Sequence, residues 1–130
     1  MFLDFKKWES SLNESSRKIK KATMIDIWRG YETLNHGEMQ LGNSPLYKVQ
    51  KRLIEKLNSN SSTSTWVKDN NFKPDNDFGK TTARALGLVL TGTEFKNPSN
   101  VKIGPTTLTK LGFKSPLSYS TNIKILATTL

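Results

Sequence analysis

Residues 73–88 read Lys-Pro-Asp-Asn-Asp-Phe-Gly-Lys-Thr-Thr-Ala-Arg-Ala-Leu-Gly-Leu, and no other stretch limits so tightly what this chain can become. Pro74 fixes φ and removes an amide donor. Asp75, Asn76 and Asp77 favour turns closed by their own side chains, and Gly79 accepts backbone that a Cβ resists. A tight polar turn therefore comes first. A helix is predicted directly after it, over residues 81–90, with small Ala83 and Ala85, apolar Leu86, Val89 and Leu90, and the hydroxyl of Thr81 or Thr82 as its cap. The same build returns downstream. Ile103-Gly104-Pro105-Thr106-Thr107 aligns with Phe78-Gly79-Lys80-Thr81-Thr82, and Lys110-Leu111-Gly112-Phe113 with Ala85-Leu86-Gly87-Leu88. A capped helix start is enough to generate such an echo without any function.

Elsewhere the apolar spacing is helical. Phe2, Phe5, Trp8 and Leu12 recur at steps of three and four and predict a helix over residues 2–12; Met24, Ile27, Trp28, Tyr31 and Leu34 predict another over residues 16–34. Gly42-Asn43-Ser44-Pro45 interrupts, with Ser44 as N-cap and Pro45 at the first helical position, and a helix over residues 46–57 follows that buries Leu46, Val49, Leu53 and Leu57. Residues 58–65 hold only Ser, Thr and Asn and are expected to form a surface loop, after which Trp66, Val67 and Phe72 return to the core or line a groove beside the Asp75 turn. Near the end, Ile123-Lys124-Ile125 reads as a strand for a partner's sheet edge, an ordered arm or a frayed terminus. The expected fold class is all-α, mainly helical: a small single domain with long polar loops and an irregular or short-strand tail. Its segments are an N-terminal helical part (1–42), a helical module (43–114) and the tail (115–130).

Composition narrows the chemistry. A formal charge of +9 favours an anionic partner, and residues 78–130 carry seven Lys/Arg against one acid, Glu94. A hydrophobic share of 35% implies a modest core. There is no cysteine, hence no disulfide, thiolate metal site or Cys nucleophile. Acid and base interrupt the apolar residues at the N-terminus before a signal-type apolar run forms, so the chain is expected to stay in the cytoplasm where it is made unless something carries it out; no membrane span is long enough. No nucleotide-binding Gly-rich loop, HExxH or GxSxG is present. His36 lies beside Glu38 without a second ligand or a nucleophile nearby, and the Asp75/Asp77 pair lacks the further oxygens and closing Glu of a Ca²⁺ loop. Asp26, Glu32 and Glu38 could serve as carboxylates for glycan cleavage, but nothing distinguishes them. The expectation is a protein without catalytic activity, metal or cofactor.

Residues 75–86, Asp-Asn-Asp-Phe-Gly-Lys-Thr-Thr-Ala-Arg-Ala-Leu, resemble the Asp-Gly-x-Phe-Gly-x-x-Thr-x-x-Ala-Val signature of peptidoglycan-binding domains, three-helix modules of cell-wall hydrolases. Residues 49–57, Val-Gln-Lys-Arg-Leu-Ile-Glu-Lys-Leu, are similar to that family's first helix. The resemblance covers residues 46–90, with a second half-motif at 103–112. It departs from the pattern at Asn76, where the family has Gly, in the longer linker 58–71, and at Val89-Leu90, where the family has Phe-Gln. It implies a groove for glycan or stem peptide formed by Gln50, Asp77, Phe78, Gly79 and Thr82. To these the residues themselves add Trp66 as a stacking wall, since sugars and peptides settle on aromatic faces.

A wall-binding module with neither enzyme nor export signal is expected to travel on a particle, as a bacteriophage tail, baseplate or other virion component made in the host cytoplasm. Its partners would then be other virion proteins and peptidoglycan. The alternative expectation is a basic nucleic-acid-binding protein using Arg17, Lys18, Lys20 and Lys21 on one helix, although such charge runs are more commonly solvated faces. Met24, Trp28 and Tyr31 read as a stacking platform or, more commonly, as core.

Overall fold

The computed structural model of the chain describes residues 18–116. The helix expected over residues 2–12, Arg17 and the chain beyond residue 116 lie outside the described residues. In chain order the elements are β1 (Lys18–Ile19), α1 (Met24–Trp28), β2 (Leu34–Asn35), β3 (Glu38–Met39), α2 (Pro45–Asn58), α3 (Ser61–Asp69), α4 (Lys80–Thr91), a 3₁₀ turn (Pro98–Asn100), β4 (Lys102–Ile103) and α5 (Pro105–Lys110). The domain is mainly helical, with a few short two-stranded sheets.

The helix α2 forms where its boundary chemistry and apolar spacing agree. The Ser44 hydroxyl accepts the Tyr47 amide at 3.1 Å and Pro45 opens the first turn, while Leu46, Val49, Leu53 and Leu57 are buried on one side. Burying each such side chain stabilises the fold by roughly 1.5–3 kcal/mol before chain entropy is counted. The helix α4 occupies the stretch expected for it, but no hydroxyl caps it. Gly79 is its N-cap without a side-chain bond, and Thr82 Oγ1 turns back to the carbonyl of Asp77 at 3.3 Å. Midway, Gly87 admits the returning chain so closely that a Cβ there would stand 2.5 Å from the Phe95 nitrogen and 2.6 Å from the Thr93 oxygen.

Two expectations are overturned. Residues 16–34 are not one helix: β1 is extended, and α1 begins only at Met24, where Thr23 and Asp26 form a reciprocal capping box. It stops after one turn and a half, and Gly30 continues in the left-handed region at φ +78°. Ile27 and Trp28 enter the core, Leu34 enters it from a strand, and Tyr31 is 72% exposed. Residues 58–65 are not a loop throughout. The Asn60 side chain accepts the Ser62 amide at 3.0 Å and starts α3, a helix with no fully buried residue.

The strands are two residues long, yet they tie the chain together. β1 pairs in parallel with β3, Lys18 opposite Glu38 and Ile19 opposite Met39. β2 pairs antiparallel with β4, Leu34 opposite Ile103 and Asn35 opposite Lys102. Residues 34–40 thus lie between the two helix-launching corners. The His36 amide donates to the Val101 carbonyl (3.1 Å), that of Gly37 to Phe78 (2.9 Å), that of Phe78 to Glu38 (2.9 Å) and that of Gln40 to Asn76 (2.9 Å). Leu34 from this segment joins Phe78, Ile103, Leu86, Leu108 and Leu111 in one continuous core.

Candidate functional site

The first corner, residues 75–82, is assembled around a buried carboxamide. Gln50, fully buried on α2, donates from Nε2 to Asp75 Oδ1 (3.0 Å), the Asp77 carbonyl (3.1 Å) and Thr82 Oγ1 (3.0 Å). Its Oε1 accepts the Asn76 amide at 2.8 Å. An amide offers two N–H donors, so three acceptors around one nitrogen share them, and both ends of the group are engaged. Asn76 adopts φ +64°, which an Asn tolerates because its short side chain bonds locally; its Nδ2 donates to the Gly42 carbonyl at 2.8 Å and its Oδ1 accepts the Ser44 hydroxyl. The left-handed residue of the turn is therefore Asn76, whereas Gly79 is extended at φ −98°.

Outside this lock lies a shallow depression of about 210 Å³ with mostly polar walls, lined by Phe72, Lys73, Asp75, Asp77, Lys80 and Thr81 among others. Lys73, Asp75 and Lys80 are exposed, and Asp77, Gly79 and Thr81 half-buried. The α4 amino end opens here with no side-chain cap, so its first amides and the positive end of its dipole share the depression's edge with two carboxylates and two ammonium groups.

Five of the six residues named from the sequence gather at this corner, in different capacities. Gln50, Phe78 and Thr82 are buried and face inward; Asp77 and Gly79 sit at the rim. The His36 ring stands edge-on to Phe78 with centroids 6.2 Å apart. Trp66 does not line the depression. It packs edge-on against Phe72 at 6.0 Å and donates its indole N–H to Glu94 Oε1. The wall residue that does reach the depression is Phe72, which the sequence left between core and groove. Lys73, Lys80 and Thr81 also line it; the two lysines carry no sequence signal beyond flanking the turn, and Thr81 is marked only as a candidate cap.

The alternative basic cluster is not a helical stripe. Lys18 is exposed on β1, Lys21 is exposed in the extended chain beyond it, and Lys20 is half-buried in a double ion pair, 2.9 Å from Glu32 and 3.4 Å from Glu38. The hydrogen bond to Glu32, with help from Glu38 and against partial burial, holds the Lys20 ammonium above its ordinary range. The three acids considered for glycan cleavage have structural partners. Glu38 Oε1 accepts the Asn35 amide (2.7 Å) and Nδ2 (3.0 Å), and Glu32 holds Lys20. Asp26 accepts the Thr23 amide at 2.9 Å, which pulls its carboxyl below the usual range. Among the described residues, no group of three His, Cys, Asp or Glu could hold a metal ion, and no helix is long and apolar enough to cross a membrane.

Set against protein-family models, curated proteins and solved structures, the chain has no match.

Proposed function

We propose that this chain is a non-catalytic recognition module of the peptidoglycan-binding type, with the first corner as its docking site. The proposed setting is an assembled particle such as a bacteriophage tail or baseplate. The observation that carries the reading is the division of labour around Gln50. A buried carboxamide holds the Asp75–Asp77 turn against α2, and the groups left outside, Lys73, Lys80, Thr81 and the open amino end of α4, border a polar depression. A wall stem peptide presents carboxylates, amides and an amine, which such a mixed rim can meet with hydrogen bonds of both polarities. A rigid corner also lowers the ordering cost of binding.

Retention of the full chain on purified peptidoglycan sacculi tests this. Binding is expected to fall about tenfold in Lys80→Glu, an exposed substitution at a helix start where an acid is structurally welcome. Retention that Lys80→Glu leaves untouched counts against the corner. A DNA mobility shift at two salt concentrations runs beside it. Steeply salt-dependent DNA binding without wall retention would replace this reading with the nucleic-acid one.

A further inference from the structure

We infer that a second surface, the cleft between the C-terminal half of α4 and the second corner (residues 102–107), docks an acidic segment of another protein that carries bulky apolar side chains. This inference does not rest on the wall-binding reading. The cleft encloses about 370 Å³, floored by Leu86, Leu90, Phe95 and Val101 and rimmed by Lys96 and Lys102, with the carboxamides of Asn97 and Asn100 beside them. It differs in kind from the depression at the first corner. Apolar surface predominates in it, and no carboxylate lines it.

Three features of the cleft and its surroundings select the occupant. Lys96 and Lys102 are exposed and form no ion pair among the described residues, so the rim offers two uncompensated ammonium groups. Among the described residues from 78 onward, six bases stand against Glu94 alone, so this part of the chain carries a net positive charge. The floor is three aliphatic side chains, Leu86 buried and Leu90 and Val101 half-buried, with a single half-buried ring, Phe95; that surface suits a Leu or Phe of a peptide better than a run of stacked bases, and the Asn carboxamides are in place to bond a peptide backbone. The cleft is built rather than incidental. Gly87 lets the chain cross α4 at backbone contact distance, and that crossing brings Phe95 into the cleft's floor.

Fluorescence anisotropy of a short fluorescein-labelled peptide, with Leu and Phe set in a run of glutamates, tests the inference on the full chain. Saturable binding is expected. It should weaken about tenfold or more in the double variant Lys96→Glu, Lys102→Glu, and similarly in Leu90→Asn or with a peptide whose Leu and Phe are replaced by Ser. The double variant Lys48→Glu, Lys51→Glu makes the same charge change on α2 and should bind as the parent does. Far-UV circular dichroism establishes that each variant is folded, and sacculi retention, governed by the first corner, should be unchanged by the Lys96 and Lys102 substitutions. Equal loss in the two charge variants would reduce the effect to overall charge and overturn the inference. So would single-stranded DNA that binds as tightly with the same sensitivities, or no saturable peptide binding at all.

Discussion

The two corners perform the same backbone gesture and share backbone bonds to residues 34–40, but differ in their side-chain anchors. In each, a buried apolar residue (Phe78, Ile103) precedes an extended Gly N-cap (Gly79, Gly104), and a Thr in the first turn (Thr82, Thr107) returns its hydroxyl to the carbonyl five residues back, at 3.3 Å and 3.5 Å. The first corner, besides its backbone bonds to residues 37–40, is held from within by Gln50, a polar group with no exposure. The second is held by Pro105 at the helix start, by the β2–β4 ladder, and at its far end by Arg52. The guanidinium of Arg52 donates to the Leu111 carbonyl at 2.8 Å and lies 4.3 Å from the Phe113 ring. A buried polar lock costs a great deal when one member is lost, whereas a ladder plus a half-exposed cation degrades by steps. The same local sequence thus yields a brittle corner and a tolerant one.

The largest effect expected is on the brittle side. Gln50→Leu keeps the volume but strips the Asn76 amide, the Asp77 carbonyl and Thr82 of their shared partner, and should cost about 3 kcal/mol in urea unfolding. If the loss is under about 1 kcal/mol, water replaces the carboxamide and the contrast between the corners fails. Next, Gly87→Ala drives a methyl group into the backbone of Thr93 and Phe95 and is expected to cost about 2 kcal/mol. Hydrogen exchange should show the opening concentrated between α4 and the second corner. A sharper comparison pairs Thr82→Ala with Thr107→Ala. The first should lose about 1.5 kcal/mol because Gln50 also relies on that hydroxyl, and the second less than about 0.5 kcal/mol. Equal losses would mean that the shared turn bond, not the lock, carries the stability.

The smallest effect lies outside both corners. Because the Asp26 carboxyl titrates below its ordinary value of 3.8, its contribution is present above that pH and fades as pH falls through the lowered value. Lys20 titrates above 10.5, so its contribution is present below that pH and fades as pH rises through the raised value. Asp26→Asn should therefore flatten the acid limb of an unfolding profile without touching the alkaline one.

What could be read from the chain follows the physics of each signal. For α2, a cap, a Pro and a full apolar face all coincide, and its bounds fall within a residue of the expectation. For α4 the apolar spacing was sound but the cap was misassigned, because a Thr after a Gly start can serve the preceding carbonyl as readily as the helix amides. Residues 16–34 failed because period alone does not register a stop: Gly30 and the Thr23 box outweigh the fit of Tyr31, which ends in solvent. The α3 helix was hidden because Ser and Thr leave no apolar trace, and the two-residue strands because no alternation fits in two positions. At the candidate site, Gln50 and Thr82 were named for a ligand, yet their polar atoms serve the corner itself. Burial is the one property that spacing on a helix cannot separate from contact with a guest.

The threading of residues 34–40 between partners far apart in sequence bears on how the protein comes to be made. Leu34 can meet Ile103 only after all of the intervening chain has been synthesised, whereas the cap and backbone bonds of α2 lie within residues 44–59. A ribosome-bound fragment ending before Val101 would lack both the β2–β4 ladder and the Val101 carbonyl that accepts the His36 amide. Maturation should then arrive late and in one step, more slowly than helical content of this kind would suggest.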